Sequence, residues 1–417
     1  MYPPCVAHAR ALIVLVSLCL FLSGIGLESA PRMVTFRLKV FPLDAAVSLD
    51  GAEAQGGRTF RLTTGAHLLR LSAPGYVTRE LRLDLAEGKT LETKLERDGP
   101  ILRRIGEVRT GTQPKSVQYS PDGAAFVSPL LDGPGVEMYS SADPGSHTVL
   151  APPPPWQSRV GFVETAFVKR RSELWVTQMT TGLVHVFSTA DNSWVDSIPT
   201  GGYYPKVITL SDDEKTAYVS NWVSNDVSVI DVDNRTVTAR IPVGGTPRGM
   251  ALSADQASLY VCIFDSGTVR KIDLAARKVV RTLSFGSGAM RHIVRDSRRN
   301  LFYASDMLRG RILVIDADRD VLAAQVDVDA NLNTIALSPD GKYLFVSSRG
   351  PNNPNDYTKP GPSLGKVYCI DTGTMQIADW TWGGNQPTGL AVSPDGRQLA
   401  FTNFLDGTVE RYAILVP

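Results

Sequence analysis

Charge of one sign is what this sequence most lacks. Its 417 residues carry 43 Lys+Arg against 42 Asp+Glu, a formal net charge of +1. A sequence-independent nucleic-acid binder needs a stronger electrostatic footprint, so no nucleic-acid partner is expected. Cysteine is scarce too: of four, Cys5 and Cys19 fall in the leading segment, and Cys262 and Cys369 are too few for a disulfide-stapled scaffold. Past that segment the histidines are His67, His147, His185 and His292, and spacing places no two of them as metal partners. The sequence has no Cys-x-x-Cys-His box, His-Glu-x-x-His pair, phosphate-cradling glycine loop or Gly-x-Ser-x-Gly elbow. Asp316, Asp318 and Asp320 imitate a calcium loop without its glycine and closing glutamate, and read as turn residues bonding their own backbone. No metal, cofactor or catalytic residue is therefore assigned, and an enzyme is not the first expectation.

Long apolar runs are confined to one place. Arg10 precedes residues 11–27, which carry no charge, and Gly24 and Gly26 are small residues suited to cleavage. A charged residue, a short apolar run and small residues make a secretory signal peptide over residues 1–26. An uncleaved anchor is the rival reading and the only expected tie to a membrane. The expected location is thus exported, periplasmic or at the cell surface.

Residues 31–98 alternate apolar and polar side chains in short runs separated by turns, as in Val34-Thr-Phe-Arg-Leu-Lys-Val40 and Val47-Ser-Leu before Asp50-Gly51. About six such strands predict a small β-sandwich. Pro42, the Val47–Gly51 run and Gly65-Ala-His-Leu-Leu-Arg-Leu-Ser-Ala-Pro-Gly75-Tyr76 resemble the PEGA domain of bacterial envelope proteins. The resemblance implies an adhesive or docking module without catalysis, and His67 reads as a structural histidine in a strand.

Residues 99–417 repeat. Ser120-Pro-Asp-Gly123 recurs at Ser338 and Ser393, with weaker copies at Ser211 and Ser253 and the same frame at Val168 and Arg295. The steps between them are 48, 43, 42, 42, 43 and 55 residues. Each unit runs from a Gly-x-x-Pro lead (Gly111, Gly202, Gly244, Gly384) through four apolar strands, the pattern of a propeller blade. The last unit lacks its fourth strand, and residues 102–111 before the first unit imitate one. The expected fold is all-β: a seven-bladed β-propeller whose ring is closed by that N-terminal strand, hiding two open edges. Tyr218-Val-Ser-Asn221, followed by Asn225-Asp-Val-Ser-Val-Ile-Asp231 and Ile241-Pro-Val-Gly244, is similar to the YVTN-repeat β-propellers. Relatives in that family include lactonase-like propellers, surface-layer proteins and propeller domains of cofactor enzymes.

In such a ring the lead loops and the loops between strands two and three share one face. The residue after each lead proline position aligns as Lys115, Val163, Lys206, Arg248, Met290, Asn333 and Thr388. With Arg159, Arg291 and His292 nearby, these suggest a cationic funnel mouth for a carboxylate, phosphate or acidic glycan. The competing reading balances the charges with Asp226, Asp265, Asp306 and Asp406. The aligned ring offers no carboxylate for acid–base work. A long insertion from Arg349 to Gly365 carries Tyr357 to the same face, where Trp222 and other aromatics could stack on a sugar. The runs Lys169-Arg-Arg171 and Arg295 to Arg299 read as solvated turn charge on the opposite face. The expected function is an exported envelope scaffold binding an envelope protein, a cell-wall glycan or a small anionic molecule. The alternative is a lactonase-like hydrolase of a sugar lactone; a third, weaker reading is a cofactor or electron-transfer domain.

Overall fold

The computed structural model describes residues 32–54 and 57–415; the expected export segment lies outside them. Among the described residues, every element is a strand except two three-residue 3-10 turns. No helix among the described residues is long and apolar enough to cross a membrane.

Seven strands precede the repeats. β1 (Met33–Phe41) buries Val34, Phe36, Leu38 and Val40 on alternate positions, as a period-two pattern with one wet face requires. β2 (Ala46–Leu49) and β3 (Ala52–Glu53) form a hairpin whose turn residues, Asp50 and Gly51, both have positive φ, the geometry that favours Asp-Gly. β4 (Thr59–Thr63), β5 (Gly65–Ser72), β6 (Arg79–Leu85) and β7 (Lys89–Lys94) complete two sheets, in orders β4-β1-β7 and β3-β2-β5-β6. One apolar cluster fills the space between them. His67 is structural: its two ring nitrogens bond Asp50 at 2.7 Å and the Thr63 carbonyl at 2.8 Å.

Seven antiparallel sheets follow, numbered here I (112–150), II (162–199), III (205–242), IV (247–284), V (290–327), VI (332–382) and VII (387–414). Their second strands are buried along their length, as in Tyr343–Ser348 and Glu173–Gln178, because sheets pack against both faces. Fourth strands, such as Thr236–Pro242, alternate between exposed and half-buried along most of their length because they form the rim. This contrast makes the inner strands read as continuous apolar runs and the outer ones as alternating.

Closure is explicit. β8 (Leu102–Arg109) pairs antiparallel with Thr408–Ile414 as the fourth strand of sheet VII. Each neighbouring pair of sheets encloses an apolar cluster, and Val409 and Ala400 of sheet VII meet Phe126 and Tyr139 of sheet I in the same way. The sheets therefore form the ring of a β-propeller. The buried Asp379 carboxylate fixes the way in by accepting the N–H groups of Ile101 at 2.9 Å and Leu102 at 2.8 Å. A side chain at Gly99 would lie 2.4 Å from that carboxylate.

The front sheets dock on the closing sheet and on its neighbour, sheet VI. Lys94 bonds the buried Glu410 and donates to the Trp382 carbonyl at 3.0 Å, and Phe41 lies 5.6 Å from the Trp382 ring.

Backbone meets backbone closely where sheet VII joins sheet I: a Cβ on Gly389 would stand 2.3 Å from the Ser116 Cα. Neither backbone can yield without moving its whole sheet. Gly389→Val is therefore expected to cost about 3 kcal/mol, at the upper end of overpacking penalties. Urea unfolding of parent and variant measures it, and equal midpoints would show the ring is not closed this tightly.

Candidate functional site

A repeated backbone device builds the site. The first strand of each sheet pairs its leading residue with the end of the second strand: Pro205 with Asn221, Pro247 with Ile263, Met290 with Asp306, Leu332 with Ser348 and Pro387 with Asn403. The ladder then bulges, and the next residue escapes pairing to join a ring: Lys206, Arg248, Arg291, Asn333 and Thr388. Sheets I and II contribute Lys115 and Val163, after Pro114 opposite Leu130 and Phe162 opposite Gln178. This corrects the aligned ring in sheet V, where Met290 takes the proline's place and Arg291 is the member.

Backbone geometry aims these residues. Gln113, Tyr204, Asn331 and Gln386, each two residues before a ring member, have positive φ. From that turn, Tyr204, Asn331 and Gln386 use their carbonyls to accept the N–H of Trp222, Arg349 and Phe404, the residues just past the second strands, at 2.9 to 3.0 Å. Met179, Phe264 and Met307 are held in the same way. A second ring, mostly apolar, thus lies against the first. Lys206 sits 4.8 Å and Arg248 4.7 Å from the Trp222 ring centre. Arg248 also lies 5.1 Å from Phe264, and Lys115 4.7 Å from Phe404.

Five cations therefore converge: Lys115, Lys206, Arg248, Arg291 and Arg349. Among the described residues, none of the five is in an ion pair. Arginines elsewhere are neutralised, as Arg311 by Asp306 at 3.0 Å, Arg299 by Asp296 at 3.1 Å and Arg235 by Glu173 at 2.6 Å. In the channel, neutral amides replace carboxylates: Arg291 donates its Nε–H to Asn333 Oδ1 at 2.5 Å, and Arg349 bonds Gln386 Oε1. Gln386 in turn donates to the Tyr357 carbonyl at 2.6 Å. Amides orient the guanidinium groups and leave their charge uncancelled. Two like charges about 10 Å apart repel by about 2 kcal/mol at an effective dielectric of about 20, so the cluster opposes its own burial.

The cost of burying these charges shows in their acidities. Burial, then Arg248 and Arg291, pulls the Lys206 amine down to about 7. Lys115 is lowered well below its usual value by burial and then by the four other cations. Burial takes Arg248 down to about 10 and lowers Arg291 and Arg349. Arg248 Nε, Arg349 Nε, Asn333 Nδ2, His292 Nδ1 and Trp222 Nε1 are buried without a hydrogen-bond partner, a costly state for polar atoms.

Sequence reasoning missed Glu164, which follows Val163 in the bulge of sheet II. Burial raises its carboxyl, opposed by the Ser116 hydroxyl and by Lys115, Arg291 and Arg248. The expectation that the ring lacks a carboxylate is corrected: the bulge places Glu164 among these charges. His292 is pulled down to about 4 by burial and by Arg291, so it is neutral at pH 7. Arg159 stands apart, exposed and held by its backbone: its N–H donates to the Trp156 carbonyl at 3.0 Å and its carbonyl accepts from Gln178 at 2.6 Å. Tyr357 joins the cluster through its backbone, its carbonyl accepting from the Gln386 amide that bonds Arg349.

The carboxylates proposed to balance the ring are engaged elsewhere. Asp226 pairs with Arg240 and Asp306 with Arg311, while Asp265 bonds Thr246 and Asp406 bonds Asn385. On the opposite face the basic turns are not simply solvated: Arg170 bonds Asp233 at 2.6 Å, Arg171 bonds Glu173 at 3.0 Å and Arg295 bonds Asp212 at 3.2 Å. Asp320 accepts from Tyr260, Lys271 and Arg281. A cleft of about 1070 Å³ lies between the front sheets and sheets VI and VII. Its buried acid, Glu410, is already matched by Lys94 and Arg104, so it lacks the unpaired charge that marks the channel.

The fold and this channel define a β-propeller protein carrying an all-β front unit. A chain of hydrazine synthase from Kuenenia stuttgartiensis has the same fold, with a TM-score of 0.62 over 74% of this chain and 98% of that one, at 20% identity. No protein-family model matches the chain. Antigen Lp49 of Leptospira interrogans is 37% identical over 355 residues, 82% of this chain and 77% of the antigen. The chain belongs to the family of Antigen Lp49.

Lys206 gives the site a pH signature. The unfolded chain keeps the Lys206 proton up to about 10.5, whereas the folded protein releases it near 7. Between those values the unfolded state binds more protons, so stability rises with pH across that window. Lys206→Met is expected to remove this part of the rise. Urea unfolding of both proteins at about pH 7 and about pH 9 tests it, and parallel increments would mean that Lys206 is an ordinary surface amine.

Proposed function

We propose that the protein is an exported binding protein of the bacterial envelope whose channel mouth takes an anionic group. One observation carries this reading: three arginines and two lysines converge there against a single carboxyl, Glu164, with amides bonding Arg291 and Arg349. Buried charges are ordinarily paired, and an incoming carboxylate or phosphate completes the set with charge-assisted bonds. In this reading residues 1–26 direct export, residues 31–98 are a PEGA-like sandwich that grips an envelope component, and residues 99–417 are a seven-bladed propeller of YVTN type. Similarity to a protein named as an antigen agrees with exposure outside the cytoplasm. Tyr203, Val223, Leu308 and Tyr357, each more than half exposed on the loops of the same face, supply apolar contact for the rest of a ligand or partner.

The test is thermal-shift binding to cell-wall fragments, acidic sugars and inorganic phosphate, with Lys206→Glu/Arg248→Glu beside the parent. The parent is expected to be stabilised by an acidic ligand, less so at high salt. The double variant should lose at least about a hundredfold in affinity, the equivalent of one or two charge-assisted bonds. Equal shifts in both proteins would move the site away from the channel.

One observation favours a second reading, hydrolysis of a sugar lactone. Glu164 is a carboxyl held toward its protonated form beside cations that could stabilise an oxyanion. Turnover of δ-gluconolactone that vanishes in Glu164→Gln would establish it. Absence of turnover above the uncatalysed rate would leave binding alone.

A further inference from the structure

Resting on the anion-site reading above, we propose that the ligand is a compact oxyanion bearing at least two negative charges, held between sheets III and VI. Arg248, Arg291 and Arg349 come from the consecutive sheets IV, V and VI, and Lys206 from sheet III beside them. Across the ring, Lys115 of sheet I stands between the uncharged Val163 of sheet II and Thr388 of sheet VII, so four of the five cations lie on the side of sheets III to VI.

Each guanidinium keeps free donors in a defined direction. Arg248 lies against the Trp222 and Phe264 rings, and among the described residues its guanidinium makes no hydrogen bond. Arg291 spends Nε on Asn333 and keeps both terminal nitrogens. Arg349 spends one terminal nitrogen on Gln386 and keeps Nε, which is buried and unpartnered, as is Arg248 Nε. Asn333 is 1% exposed, and its Nδ2 is a further donor without a partner. A carboxylate accepts bidentately from one guanidinium. Three guanidinium groups, an amide N–H and two ammonium groups therefore exceed what one carboxylate can satisfy. Glu164 offsets at most one of the five cations, and the three arginines alone outnumber a monovalent ligand. Di- and tricarboxylates and diphosphates share the required chemistry.

Such a ligand also moves a proton. The charges acting on Lys206 are Arg248, Arg291 and Glu164, and its close neutral neighbours are Met179 and Trp222. A multivalent anion reverses the repulsion that lowers the amine, so at neutral pH binding draws a proton from buffer onto Lys206.

Titration calorimetry of the full chain with citrate, succinate, pyrophosphate and acetate, each in two buffers of different ionisation enthalpy, tests the proposal. Citrate or pyrophosphate is expected to bind at least tenfold tighter than acetate, with heats that differ between buffers by net proton uptake. Citrate alone or pyrophosphate alone would identify carboxylates or phosphates as the class. Asn333→Asp supplies a second readout, because it gives Arg291 an internal counter-charge. It is expected to raise the melting temperature of the free protein while weakening citrate or pyrophosphate at least tenfold. Acetate binding as tightly as the multivalent probes would overturn multivalence and leave the anion site standing. If no anion binds and Asn333→Asp leaves the melting temperature unchanged, the anion-site reading falls with it.

Discussion

Everything in this molecule depends on closing a ring of sheets that have no covalent seam. A stack of twisted sheets buries both faces of every member only if the last finds the first. Here the last sheet is assembled from two distant stretches of chain, Pro387–Ile414 and Leu102–Arg109. The Gly389–Ser116 approach and the apolar cluster around Phe126 and Tyr139 complete that meeting. Without closure there is no common axis, and the residues after each leading proline position would be unrelated loop charges.

Once closed, the ring is knitted by small polar side chains at one recurring place. Thr177, Ser305 and Ser347 lie in the second strands of sheets II, V and VI. Each accepts the N–H freed by its own sheet's bulge and donates to a ring residue's carbonyl in the next sheet, Lys206, Asn333 and Thr388, at 2.8 to 3.0 Å. One hydroxyl thus satisfies two buried backbone groups that the bulge and the sheet boundary would otherwise strand. The same carbonyls belong to ring residues, of which Lys206 is a cation and Asn333 orients Arg291, so rigidity and charge placement share a backbone. That arrangement keeps like charges close, because they cannot relax apart without breaking the inter-sheet bonds.

Much of the fold was legible because burial writes itself into the pattern: continuous apolar runs in Tyr343–Ser348, alternation in Thr236–Pro242, and a missing fourth strand supplied by Leu102–Arg109. Lys115, Lys206, Arg248 and Asn333 were legible as ring members wherever the leading residue could be counted. The alignment slipped at Met290, where no proline marks the register, and Arg291 was left beside the ring instead of in it. Glu164 was invisible because a bulge turns successive residues toward one space, whereas an unbroken strand would send Val163 and its neighbour to opposite sides. Gln386 was missed because its role, orienting Arg349 without cancelling it, depends on a partner 37 residues away. The ion pairs of Arg170 and Arg295 were missed for the same reason: Asp233 and Asp212 are far in sequence and near only after the ring closes.

The way the front sheets join the ring has a mechanical consequence. Their chain runs directly into β8, with Asp379 gripping the joint and Lys94 clasping Glu410 beside it. A pull on the front sheets, as when a tethered protein is dragged by what it holds, enters the ring at its seam and not at its periphery. The joint therefore acts as a fuse: Asp379 and Glu410 bear the load first, and once they yield the same force peels away the strand that keeps the channel in being.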